Sequence, residues 1–242
     1  MSRFFNMESP FFQFLSRVAD LMILNLIFLV TCLPIITIGA AWTALYYTTL
    51  KMVRNEESYI VRDYFKSFKE NFKQATLMWL AVLVFIVILF LDYNIIRAMT
   101  GSVAGFFRIA TTAIGLLGIM ILLYLFPVLS KFYNSIKNTF VNALLMSIRH
   151  LPQTLIMMVI STGAVVITFL TSVTLVYGSL LWLLFGFALI ALANSWFLVR
   201  IFDHYIPEQE AVPEEDPYSY QPEASVFKNI GTPLPENEEK KQ

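Results

Sequence analysis

Apolar positions in this chain come in long uncharged runs, 21–50, 75–91, 109–130 and 151–199, with basic stretches between them. A helix rises ~1.5 Å per residue and the hydrocarbon core is ~30 Å thick, so about 20 residues make one crossing. Length then decides how each run is used. The run 151–199 would extend roughly 70 Å as a single helix and must double back. The segment 176–179, with Gly178 at its centre, predicts the turn and divides the run into spans 152–175 and 180–200. The run 75–91, extended to about residue 96, and residues 106–129 supply two more spans.

Residues 21–50 are too long for one upright crossing and too short for two. The helical pattern continues upstream through Pro10, Phe11, Phe12 and Phe14, and Pro34 and Gly39 interrupt the run. The prediction is a helix over 10–33 of about 36 Å, a bend at 34–37, and a second helix over 39–54 of about 24 Å. Arg17 and Asp20, and likewise Arg200 and Asp203, are spaced to pair at i, i+3. A cleaved leader is disfavoured at the N-terminus because no small-x-small site follows the first apolar run.

Two stretches between the runs have helical amphipathicity. In the first, Phe65, Phe68 and Phe72 recur at helical spacing, with Lys66, Lys69 and Lys73 one position on. This predicts an interfacial helix with phenyl rings in the acyl boundary and ammonium groups at anionic headgroups. In the second, Phe132, Ile136, Phe140 and Leu144 repeat every four residues before the fifth span. Lipid attachment accounts for both, and no nucleic-acid partner is implied.

Charge sets the orientation. Fourteen lysines and arginines precede Pro207 against eight acids, and three follow it against nine. The densest basic loop, 51–73, is assigned to the cytoplasm by the excess of Lys and Arg on that side of membranes. The expected fold is therefore all-α: a polytopic helical membrane protein of the cell membrane, with six transmembrane helices, both termini cytoplasmic and two cytoplasmic amphipathic helical regions. The alternative is five, with the N-terminus outside. Residues 1–206 form the membrane domain. Residues 207–242, rich in proline and glutamate, form an acidic tail expected to be disordered and cytoplasmic.

Candidate chemistry is sparse. The pattern contains no phosphate loop, metal-ligand cluster or nucleophile constellation, so no catalytic residue, metal or cofactor is expected and the protein reads as a non-enzyme. Intramembrane polar residues are the remaining candidates, foremost Asn25, Thr31, Asn194 and Ser195. They suit hydrogen bonds between helices, or the wall of a path for a neutral solute.

The stretch LPIITIGAAWTALYYTTLKMVR, preceded by NLIFLVTC and followed by YFKSFKENFKQAT, resembles the YesL-type family of bacterial membrane proteins of unknown function. The likeness spans roughly residues 4–205. It is carried by the bend motif of Leu33, Pro34, Thr37 and Gly39, the small and aromatic residues after it, and the Phe/Lys helix. The resemblance implies a setting in carbohydrate uptake, since members are often encoded beside sugar-uptake systems. Two functions follow as expectations. One is an accessory or regulatory partner of carbohydrate ABC transporter components or other membrane proteins; the other is a stand-alone transporter or channel for a neutral solute such as a sugar. The loop 138–152 lacks the Glu-Ala-Ala element with which ABC permeases dock their ATPase.

Overall fold

The computed structural model describes residues 10–56 and 59–205, and among these every regular element is helical. α1 (Pro10–Cys32) is followed by a 3₁₀ turn, Ile35–Thr37, and by α2 (Ile38–Val53). α3 (Ile60–Ala98) and α4 (Ser102–Lys131) form a long hairpin, and α5 (Ile136–Arg149) leads into α6 (Leu151–Phe169). α7 (Ser172–Leu181), a π turn (Trp182–Gly186) and α8 (Phe187–Asp203) run on as one helix. Five helical stretches are long and apolar enough to cross a membrane: Phe11–Cys32, Ile60–Ala98, Val103–Lys131, Leu151–Phe169 and Ser172–Asp203. α2, at 16 residues, is shorter than a crossing. The tail, residues 207–242, lies outside the described residues.

α2 is nevertheless the centre of the bundle. Its small residues Gly39, Ala40, Ala41 and Ala44 are buried, as are Leu45, Tyr46 and Leu50, and α1, α3, α4 and α8 pack around it. Small side chains let backbones approach, which drives helix association where lipid removes the hydrophobic incentive. The closest approach is at Gly39, where a Cβ would lie 2.5 Å from the Ala75 carbonyl oxygen and 2.6 Å from Trp79 Cβ. Between α3 and α4, Gly118 makes room for the Phe85 ring, and nearby Thr111 donates to Asp92 at 2.5 Å.

Three expectations are corrected. The Phe/Lys segment is not a separate interfacial helix but the first part of the 39-residue α3, because no glycine or proline interrupts residues 60–98. Its apolar face is taken by the protein: Phe68 and Phe72 are half-buried against the core and only Phe65 of the three is exposed. The turn between the last two helices falls at 170–171 rather than at Gly178. There Thr171 and Thr174 form a reciprocal capping box, while Gly178 sits inside α7, against Thr168. Neither local ion pair forms, and Arg17 and Asp203 take long-range partners instead. Arg17 donates to the Asn55 side-chain oxygen at 2.7 Å, Asp203 pairs with Arg54, and Arg200 lies over the Trp196 ring, 3.7 Å from its centroid.

These contacts gather the charges at one end of the bundle. Lys51 meets Asp63 at 2.9 Å, and Lys51, Arg54, Glu56 and Lys131 line one small cavity there. The start of α1 and the ends of α2 and α8 all lie at this end.

Candidate functional site

Of the four intramembrane polar candidates, Asn25, Asn194 and Ser195 lie on the last helix or bond to it, and Thr31 bonds to α3. Asn25 of α1 is fully buried and faces the π turn. A π turn disturbs the regular helical hydrogen-bond ladder and leaves backbone groups in need of partners. Asn25 supplies them: Nδ2 donates to the carbonyls of Trp182 (3.0 Å) and Leu183 (2.8 Å), and Oδ1 accepts from the Ala188 amide (3.1 Å). One carboxamide thus ties α1 to the irregular part of the last helix.

Half a bundle away, Asn194 of α8 donates from Nδ2 to Ser161 Oγ at 3.0 Å and to Tyr46 Oη at 3.4 Å, joining α8 to α6 and α2. Its Oδ1 is buried without a partner. Ser195 pairs with Thr49 of α2 at 2.8 Å. Thr31, near the end of α1, pairs with Tyr64 Oη of α3 at 2.6 Å. The structure therefore brings Asn194 and Ser195 into one cluster, places Asn25 beside the π turn, and sets Thr31 apart near the bend.

Sequence reading passed over the hydroxyl partners Tyr46, Thr49, Tyr64 and Ser161. It also passed over the aromatic residues that enclose an apolar cavity of ≈310 Å³ beside the cluster. Trp42, Tyr46, Trp79, Phe126, Trp182 and Phe187 line it, with Ser161 on the α6 side. The only sequence signal was the pair Trp42 and Tyr46, one helical turn apart. That volume reaches the lower limit for a small-molecule site. The wall is chemically suited to an apolar or ring-faced body, with the Tyr46 and Ser161 hydroxyls, both held by Asn194, as the polar groups available to it.

The bend residues have separable roles. Pro34 carries no N–H. Thr37 Oγ1 donates to the carbonyls of Thr31 (2.6 Å) and Pro34 (2.7 Å). Gly39 allows the contact with α3, and Leu33 is exposed. On the outside of α3, Lys66, Lys69 and Lys73 are exposed. Lys66 and Lys69 share a shallow depression with Tyr59, Val61, Arg62 and Phe65, a surface of positive charge and aromatic edge that fits anionic headgroups. α5 shows exposed Val141, Leu145 and Ile148 along one side, while Thr139, Ala143, Met146 and Ser147 are buried. Beyond α5, His150 contacts Tyr205 Oη at 3.1 Å. Burial, then the charges of His204 and Arg149, lower its pKa from the ordinary histidine value. No group of three or more metal-ligating side chains is present among the described residues.

Residues 21–93 match a family model described as a protein of unknown function, DUF624. The match covers the uncharged part of α1, the bend, α2 and most of α3. The DUF624 region therefore contains Asn25, Tyr46, Thr49 and two of the cavity tryptophans, whereas Ser161, Trp182, Asn194 and Ser195 come from helices beyond it. No curated protein and no solved structure matches the chain.

Proposed function

We propose that this is a YesL-type, multi-pass protein of the bacterial cell membrane that acts, without catalysis, as an accessory or regulatory partner in carbohydrate uptake. The observation that carries this reading is the use of the two intramembrane asparagines. A solute path needs polar groups free to exchange partners with the solute. Asn25 instead has all three of its bonds on the backbone of the last helix, in and just after the π turn, and Asn194 Nδ2 holds Tyr46 and Ser161. The polar groups act as joints of the bundle. The other supporting feature is the charged end, where exposed lysines of α3 and the apolar side of α5 offer a surface for anionic lipid and for partners such as carbohydrate ABC transporter components. The excess of Lys and Arg at that end favours a cytoplasmic location for it and for both chain termini. The carbohydrate setting comes from the YesL-type resemblance.

A second reading, passage of a neutral solute such as a sugar, is favoured by the tryptophan-lined cavity. Two measurements separate them. Affinity purification from native membranes should recover carbohydrate-transporter subunits, and liposomes containing the protein alone should show no uptake of labelled mono- or oligosaccharide above empty vesicles. Saturable uptake, lost in an Asn194→Leu variant that still folds, would overturn the accessory role in favour of a transporter.

A further inference from the structure

We infer that the α1–α2 bend is a lipid-contact tip: the hairpin enters the bilayer from the charged end, turns inside the hydrocarbon and returns to the same side. Three independent features of the bend lead there. Its surface is apolar, with Leu33, Ile35 and Ile36 exposed at 79%, 65% and 54%. Turns that face water are built from Gly, Pro, Asn, Asp and Ser; of these, residues 33–36 contain only the apolar Pro34, and the one hydroxyl that follows, Thr37, donates to the backbone of the bend.

Much of the backbone of the bend is hydrogen-bonded inside the protein, as irregular backbone in hydrocarbon must be. Leu33 N–H donates to the Val30 carbonyl at 3.3 Å and Thr37 N–H to the Pro34 carbonyl at 3.0 Å. Thr37 Oγ1 covers the carbonyls of Thr31 and Pro34, and Trp79 Nε1 donates to the Ile35 carbonyl at 2.8 Å. Pro34 has no amide hydrogen to satisfy. Water would make most of these arrangements unnecessary.

The third feature is depth. Gly39 abuts α3 at Ala75 and Trp79, and α3 continues for thirteen residues, about 20 Å, from Trp79 to its next charge at Asp92. Phe126 of α4 faces Trp79 with ring centroids 6.3 Å apart, and Arg108 lies about 27 Å further along α4. In the other direction, Gly39 to Lys51 spans about 18 Å. On α3 itself the exposed Lys73 stands two residues, about 3 Å, before Ala75, so the bend, about 20 Å from the level of Asp92, falls within a ~30 Å core close to its charged-side boundary. The chain then makes four full crossings, by α3, α4, α6 and the α7–α8 helix, beside one re-entrant hairpin. Both arms of the hairpin open to the same side.

The test uses single cysteines in the full chain carrying Cys32→Ala, which removes the one native thiol. Ile35→Cys probes the bend, Met99→Cys the α3–α4 turn and Tyr59→Cys the charged end. A membrane-impermeant maleimide should label Met99→Cys on intact cells and Tyr59→Cys only in inside-out vesicles. Ile35→Cys should label from neither side, yet react fully after denaturation. A nitroxide on Ile35→Cys should collide more with oxygen than with a water-soluble nickel complex. Ile36→Cys repeats the measurement should Ile35→Cys fold poorly. Labelling at the bend from outside, at the rate of Met99→Cys, would replace the re-entrant hairpin with two full crossings; labelling from inside would show that the hairpin does not enter the membrane.

Discussion

The joint between Asn25 and the π turn predicts a defined loss of stability in Asn25→Leu. Leucine nearly matches asparagine in size, so the change removes hydrogen bonds with little new cavity. Three bonds disappear, two to carbonyls and one from an amide. At the ~0.6 kcal/mol average found for side-chain hydrogen bonds between membrane helices, their sum is about 2 kcal/mol. That average holds where the freed groups find other partners. Here they are main-chain groups in a dry interior, for which ~1–3 kcal/mol each is the expected penalty, so about 2 kcal/mol is the floor. For a chain of this size each kcal/mol moves the melting point by about 2–4 °C, and Asn25→Leu should melt at least about 4 °C below wild type. Thermal unfolding in detergent, followed by tryptophan fluorescence, reads this directly, since Trp182 lies in the π turn. Thr43→Ala is the control, because that hydroxyl donates only to the Gly39 carbonyl of its own helix. A loss in Asn25→Leu no greater than in Thr43→Ala would refute the view that Asn25 completes the π turn.

Gly39→Ala should destabilise the bundle by about 1–3 kcal/mol, since its Cβ meets the Ala75 backbone and α2 must part from α3; Gly163→Ala, with nothing within 4 Å, should be neutral or gain up to ~1 kcal/mol, and equal melting points for the two would contradict the close approach. His150 has a folded-state pKa below its ordinary 6.5, so the folded protein binds its proton less readily than the unfolded chain. Its stability is whole above that value and falls as pH drops below it. His150→Gln should flatten the melting-point profile as pH falls below 6.5, and an unchanged slope would assign the pH dependence to other groups.

How much of this was legible in the sequence depended on whether the cause was local. The bend was readable because Pro34 acts on its own neighbours, and helix ends predicted at 33 and 39 compare with Cys32 and Ile38 in the structure. The continuity of α3 was also written locally, in the lack of any helix breaker from 60 to 98. It was masked by the lysine stripe, which marks where water begins rather than where a helix stops. The turn at 170–171 was missed for a related reason: Gly178 is the stronger breaker by type, but a glycine in a membrane helix more often serves a close contact, and Thr168 provides one. The π turn, its tie to Asn25 and the aromatic cavity had no local signature. They arise when α1, α2 and α4 meet α6 and α8, and no window of sequence contains that meeting. The same holds for Arg54 and Asp203, each of which has a nearer oppositely charged neighbour in sequence than the one it pairs with.

The distance along the chain between Asn25 and its partners also sets an order of events during synthesis. Trp182 lies 157 residues downstream, and 129 residues separate it from the end of α2 at Val53, so at ~5–20 residues per second the α1–α2 hairpin exists for about 6–26 s before the π turn is reached. Over that interval Asn25, Tyr46 and Thr49 stand in or beside lipid with their long-range partners absent. A nascent chain that stalls before α8 is therefore chemically distinct from a finished one. It displays an unpaired carboxamide in the apolar layer, a feature that membrane chaperones and proteases can read, and the arrival of the last helix conceals it.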